Sequence, residues 1–185
     1  MTRPDRQYIV RAARATAREA IWYATSNHRQ GSQQNILLFA TRRGGSTFAM
    51  ELIGANRRVR PLNQPLETLS RNTTFGQMLE LPRFRDGQIT SISGRTETQM
   101  REVMTKVFDG RVVINAPTRF WSRDYVWRSD RLVLKITDAK PAIDWFATEL
   151  PADIVYLTRH PIPQALSCLR NNWTLTVDAH LADPV

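Results

Sequence analysis

Cysteine is nearly absent: Cys168 is the single one in 185 residues. No internal disulfide is available, and nothing in the chain calls for an oxidising compartment. Long apolar runs are missing as well. The clean run nearest the start, Ile36-Leu37-Leu38-Phe39-Ala40, falls far short of the ~20 residues a membrane span needs. Arg11, Arg14, Arg18 and Glu19 recur through the amino-terminal stretch, which therefore lacks the apolar core of a secretory signal. These absences point to the cytoplasm. The three histidines, His28, His160 and His180, lie far apart, so no zinc-ligand cluster is expected and no metal is assigned. There is no internal repeat and no low-complexity tract.

Positive charge is what the chain does have. The formal net charge is +9, which favours anionic partners: phosphate-rich cofactors, nucleic acid or acidic sugars. The charges are spread along the chain rather than gathered into one basic run, and a generally basic surface explains them equally well. The five tryptophans (Trp22, Trp121, Trp127, Trp145 and Trp173) stand in scattered contexts and form no stacking strip. Core packing accounts for them better than nucleic-acid binding does.

The length suits one domain with a real core. Residues 5–24 carry Ile9, Ala13, Ala17, Ala20 and Ala24 at three- to four-residue spacing with arginines between, the pattern of a basic amphipathic helix. Alanine contributes little membrane affinity, so this helix is expected to pack on its own domain. Residues 25–34 are polar and read as a linker, which divides the chain into 1–34 and a main domain, 35–185. Strands are predicted at Asn35–Ala40, Val112–Ile114, Leu132–Ile136 and Asp153–Thr158. Helices are predicted from Ser46 to about Ala55, from about Glu97 to Phe108 with Gly110 at the C′ position, from Pro141 to about Glu149, and from about Ile162 to Arg170. Residues 56–95, rich in Arg, Pro, Asn and Thr, read as short helices and loops. Strands alternating with helices imply an α/β fold whose mainly parallel sheet is covered on both faces. The abrupt end at Val185 reads as a truncated chain.

The segment Ile36–Phe48, ILLFATRRGGSTF, runs from strand through loop into helix. A helix N-terminus offers free N–H groups and partial positive charge, so it attracts anions. Gly44 and Gly45 let the backbone come close, Ser46 and Thr47 add hydroxyls or a cap, and Arg43 brings a bidentate fork. The loop is not a Walker A motif, because Ser46 follows Gly45 and no Lys is present. Read alone, it is either an anion loop or a plain strand–turn–helix with a serine cap. A second strand–helix segment, Ile154–Trp173, carries Arg159 at the carboxyl end of its strand and Ser167 eight residues on. Such a pair is able to hold one phosphate from two sides.

The stretch Thr41-Arg42-Arg43-Gly44-Gly45-Ser46-Thr47-Phe48 resembles the 5′-phosphosulfate loop of sulfotransferases that use 3′-phosphoadenosine-5′-phosphosulfate (PAPS). It is most similar to the bacterial and carbohydrate branches, with Arg-Ser-Gly-Ser-Thr. Arg159 and Ser167 resemble the same family's 3′-phosphate site. The likeness spans roughly residues 35–173. It implies a P-loop-like three-layer fold and PAPS as sulfate donor, with the 5′-phosphosulfate on Arg43, Gly44, Gly45, Ser46 and Thr47 and the 3′-phosphate on Arg159 and Ser167. The implied acceptor is a carbohydrate or small-molecule hydroxyl or amine, and the arginines Arg57, Arg58, Arg60, Arg83 and Arg85 point to an anionic or sugar acceptor or to a solvated basic face.

Gly44 departs from the family's usual Ser, and His160 stands where an acid often follows the Arg. Phe48 falls where the cytosolic branch often has a Trp near the adenine, although a core position fits it equally well. For catalysis, Arg43 and the loop amides are the candidate groups at the leaving oxygen, and Lys135 is a further candidate cation, although a strand-end lysine reaching solvent fits it equally well. Lys135 resembles a Lys that the cytosolic branch places near its active site; there a His follows two positions on, and here that residue is Thr137. Gln64 stands where an acid is expected, and Glu67 three residues on is the candidate base; Asp138 is a second, with helix capping as its ordinary role. The family's later adenosine-phosphate segment is not in the sequence, so the chain is expected to bind PAPS poorly and turn over slowly. Two other classes remain: a P-loop-like kinase or nucleotide hydrolase, and a basic nucleic-acid-binding module.

Overall fold

The computed structural model describes residues 24–66, 89, 91–111 and 125–171, with scattered helical positions between 10 and 21. The candidate base Glu67 and the strand predicted at Val112–Ile114 lie outside the described residues. In the amino-terminal stretch, Val10, Ala13, Arg14, Thr16, Ala17, Ala20, Ile21, Ala24 and Thr25 are all helical, as their spacing predicts.

The centre is a four-stranded sheet. Its strands are β2 (Asn35–Ala40), β3 (Val59–Asn63), β5 (Arg131–Ile136) and β6 (Ala152–Leu157), in the order β3-β5-β2-β6 with every pairing parallel. Two more, β1 (Asn27–His28) and β4 (Arg128–Ser129), form a small parallel pair of their own. Four described helices follow: α1 (Ser46–Gly54), α2 (Gly94–Phe108), α3 (Ile143–Glu149) and α4 (Pro161–Arg170). The protein is an α/β fold, a mostly parallel sheet flanked by helices.

β2 is buried along its whole length, as a central parallel strand must be. Its side chains alternate between two cores. Leu37 and Phe39 face α2 and α3, meeting Met100, Val103, Met104, Val107 and Phe146. The Phe39 and Phe146 rings stand edge to face at 5.4 Å. Ile36 and Leu38 face the other way, onto Met50 of α1 with Val59 and Val133. Two apolar faces on one strand are what fix three layers. α2 ends as its sequence predicts: Gly110 sits at φ 69°, its N–H bonds the Val107 carbonyl and the Arg111 N–H bonds that of Lys106, a Schellman cap. A Cβ at Gly110 would also lie 2.6 Å from that of His28, so the close approach of β1 demands glycine a second time.

Three expectations are corrected. Residues 56–95 were expected to hold only helices and loops, yet Val59–Asn63 is a strand. Pro61 disguises it, but β3 is an edge strand of the described sheet, where a missing N–H is tolerated. Residues 25–34, expected as a linker, include β1. The buried His28 ring pairs through Nδ1 with the Ser129 hydroxyl at 2.9 Å, which ties the segment to β4. The helix expected from Pro141 begins instead as a 3₁₀ turn, Lys140–Ala142, before α3.

Burial, followed by the nearby Arg60 guanidinium, holds the His28 imidazole below its ordinary value of 6.5. A folded pKa below the unfolded one means that protons favour the unfolded chain, so this stability is complete above 6.5 and is lost as the pH falls toward the folded value. The melting temperature is expected to drop between about pH 7.5 and pH 5.5, before most carboxylates titrate. His28→Gln should flatten that slope. An unchanged slope would mean that another group carries it.

Candidate functional site

The carboxyl ends of the parallel strands are where open α/β sheets bind ligands, and four of this sheet's exits converge there. β2 leads through Thr41–Gly45 into α1. Arg43 adopts the left-handed φ of 61° and Gly45 one of 90°, and the Gly44 N–H closes the turn on the Thr41 carbonyl at 3.0 Å. A Cβ on Gly44 would lie 2.8 Å from both the carbonyl oxygen and Oγ1 of Thr41. The Gly at this position, where the resembled loops carry Ser, is thus matched to Thr41: the turn has no room for a side chain. Gly45 is the N-cap of α1 and no side chain caps the helix. Ser46 and Thr47 therefore do not cap, and are the first two helical residues instead. The amides of this turn keep their partial positive charge directed outward.

β5 supplies Lys135, only 6% exposed, whose ammonium donates to Thr47 Oγ1 at 3.1 Å. Two residues on, Thr137 Oγ1 accepts from Gln64 Nε2 at 2.9 Å. Gln64 leaves β3 with φ 50°, its N–H bonded to the Lys135 carbonyl. From the far edge, β6 leads to Arg159, whose Nη1 donates to the Arg43 carbonyl at 3.2 Å. α4 then presents Ser167, which accepts from Arg43 Nε at 3.0 Å. Gln164, one turn earlier, clamps the loop again: its Nε2 donates to the Arg42 carbonyl at 3.0 Å, and its Oε1 accepts from Thr41 Oγ1 at 3.4 Å.

Together these residues enclose a cavity of about 340 Å³ lined by Arg42, Arg43, Gly45, Ser46, Thr47, Gln64, Lys135, Thr137, Arg159 and Ser167. Four of them are cations and, among the described lining residues, none is an acid. The two motifs lie 116 to 124 residues apart in sequence, and the fold brings them into hydrogen-bonding contact. Arg43, Gly45, Ser46, Thr47, Lys135, Arg159 and Ser167 share one wall system. Gly44 shapes the loop without lining the cavity. Arg42 and Gln164 were not singled out from the sequence, and Thr137 was noted only as standing where the resemblance implies a His. Gln164 carries no motif signal at all, whereas Gln64 stands where the resemblance implies an acid.

Other expectations resolve differently. Asp138 is buried, does not line the cavity and does not cap the following turn, whose N-cap is Ala139. His160 is the N-cap of α4, its Nδ1 accepting the Ile162 N–H at 3.3 Å, as its place before Pro161 suits. Phe48 is 71% exposed and so is not a core residue. Trp127 is exposed too, while Trp145 packs against the core. Cys168 is buried. Arg60 is buried and donates to the Val126 and Trp127 carbonyls, a structural role rather than contact with an acceptor; burial pulls its guanidinium below the ordinary range. Arg58 pairs with Asp130. Among the described residues no helix is long and apolar enough to cross a membrane. No family model, curated protein or solved structure matches the chain.

Proposed function

We propose that the chain is the catalytic part of a PAPS-dependent sulfotransferase acting on a hydroxyl or amine of a carbohydrate or small metabolite. The observation that carries this reading is the bond between Arg43 and Ser167, which makes one site from two motifs that each resemble half of a bisphosphate pocket. A nucleotide carrying phosphate at both its 3′ and 5′ positions needs cationic groups for each, and a cavity lined by Arg42, Arg43, Lys135 and Arg159 suits that demand.

In this reading the first-turn amides of α1, Ser46, Thr47 and Arg43 grip the 5′-phosphosulfate, and Arg159 and Ser167 grip the 3′-phosphate. Sulfuryl transfer breaks the S–O bond to the phosphate and forms an S–O bond to a hydroxyl acceptor or an S–N bond to an amine. The bond's electrons leave with adenosine 3′,5′-bisphosphate, and the acceptor's proton passes to a base. Negative charge grows on the leaving phosphate oxygen, where Arg43 and Lys135 act from a partly dry wall at greater strength than in water. Gln64 has no proton-accepting carboxylate, so Glu67, outside the described residues, stays the candidate base. Phe48, exposed beside the loop, offers a face on which an adenine ring stacks.

Calorimetric titration with adenosine 3′,5′-bisphosphate, ATP–Mg²⁺ and a DNA duplex tests the reading. The bisphosphate should bind more tightly than ATP–Mg²⁺. Preference for ATP–Mg²⁺ favours a kinase or hydrolase, and steeply salt-dependent duplex binding favours a nucleic-acid module.

A further inference from the structure

A second basic cleft lies at the opposite end of the sheet's strands. Arg58 immediately precedes β3 and Asp130 immediately precedes β5, at the strand starts, whereas the cavity described above lies past their ends. At ~3.3 Å per residue the length of β3 separates the two by roughly 15–20 Å. This cleft encloses about 240 Å³ and is lined by Asn27, Arg29, Arg58, Arg128, Ser129 and Asp130. Three guanidiniums face one carboxylate there.

Its construction is specific. β1 and β4 pair in parallel register, Asn27 with Arg128 and His28 with Ser129, which sets Arg128 in the small sheet and Arg29 directly after it. The Arg29 N–H bonds the Ser129 carbonyl at 2.9 Å. Arg58 is held at the left-handed φ of 66°, with its carbonyl taken by the Asp130 N–H at 3.1 Å. Its Nη1 reaches Asp130 Oδ2 at 3.3 Å, an exposed and therefore weak pair that orients the guanidinium without neutralising the cleft. A further cation lies behind. Ser129 lines the cleft and bonds the buried His28, whose ring feels the Arg60 charge; Arg60 itself is only 6% exposed. Three arginines thus line the cleft with one Asp130, and the buried Arg60 adds its charge on the far side of His28.

We propose that this cleft binds a tetrahedral oxyanion, a sulfate or phosphate group either free or carried on a sugar. Guanidinium forks match such groups with paired N–H···O bonds. The site does not rest on the sulfuryl-transfer reading, and its occupant leaves the transfer cavity open.

The test uses the full ¹⁵N-labelled chain. Sodium sulfate, sodium phosphate and a fully sulfated tetrasaccharide are titrated against sodium chloride at matched ionic strength, and amide shifts are followed. The expected result is saturable shifts at Arg29, Arg58, Ser129 and Asp130 with sulfate or phosphate but not chloride. The exposed pair Arg29→Gln, Arg128→Gln should weaken this binding by at least about tenfold, the loss of charge-assisted bonds, while Arg43→Ala leaves it intact. Arg58→Gln serves as an independent variant of the same cleft. Tighter binding of the tetrasaccharide than of sulfate assigns a sugar-borne group; no gain assigns the free ion. Absence of saturable shifts at these amides overturns the proposal, as does unchanged affinity in the folded Arg29→Gln, Arg128→Gln chain.

Discussion

Replacing Arg43 by alanine is expected to weaken adenosine 3′,5′-bisphosphate binding by roughly 10- to 100-fold, the size of one or two charge-assisted hydrogen bonds. Arg43 lies in the loop and donates through Nε to Ser167, so it touches both halves of the proposed ligand site. The same residue holds a left-handed φ of 61°, which an alanine at position 43 would keep. Arg43→Gly separates the two roles: glycine adopts that backbone at no steric cost but carries no charge. Both variants should lose affinity alike, while Arg43→Gly melts at the higher temperature by about the 1 kcal/mol that a left-handed non-glycine costs. Affinity that survives in either variant would remove Arg43 from the ligand site.

Lys135→Met should move stability and activity in opposite directions. The ammonium is buried at 6% exposure, in a sheet otherwise filled with Leu132, Val133, Leu134 and Ile136. Taking a charge out of such a place and keeping the volume is commonly neutral or stabilising, by about 1–2 kcal/mol. The same change removes a cation beside Thr47, where charge would grow in the proposed sulfuryl transfer. Loss of one group aimed at such a charge costs on the order of 10²–10³ in turnover. The readouts are the melting temperature and release of adenosine 3′,5′-bisphosphate from PAPS. A variant that is less stable and equally active would make Lys135 a structural residue.

The strands and helices with a clear apolar period were legible in the sequence. Asn35–Ala40 is a strand at its expected bounds, and β5, β6, α1, α2 and α4 agree to within about three residues at either end. β3 was not legible, because Arg60 and Pro61 break its apolar pattern. Its burial comes from β5 and from the Arg60 bonds to carbonyls far along the chain, which no local window contains. β1 is two residues long and owes its existence to β4. The site divides in the same way. Arg43, Gly45, Ser46, Thr47, Arg159 and Ser167 sit in strand–loop–helix contexts whose chemistry is local, so they were visible. Gln164 works through its bonds to Thr41 and Arg42, 123 and 122 residues away, and a lone glutamine in a helix carries no sign of that. Thr137 was visible only as a departure from the resembled pattern; its bond to Gln64, 73 residues away, was not.

The central claim is that Arg159 and Ser167 read a 3′-phosphate beside a loop that reads the 5′ end. Its most direct test compares adenosine 3′,5′-bisphosphate with adenosine 5′-monophosphate by calorimetry, in the native chain and in Arg159→Ala, Ser167→Ala. The native chain should prefer the bisphosphate by at least about tenfold, the worth of one charge-assisted contact, and the variant should bind the two alike. Equal affinities in the native chain, or a preference that persists in the folded variant, would contradict the account.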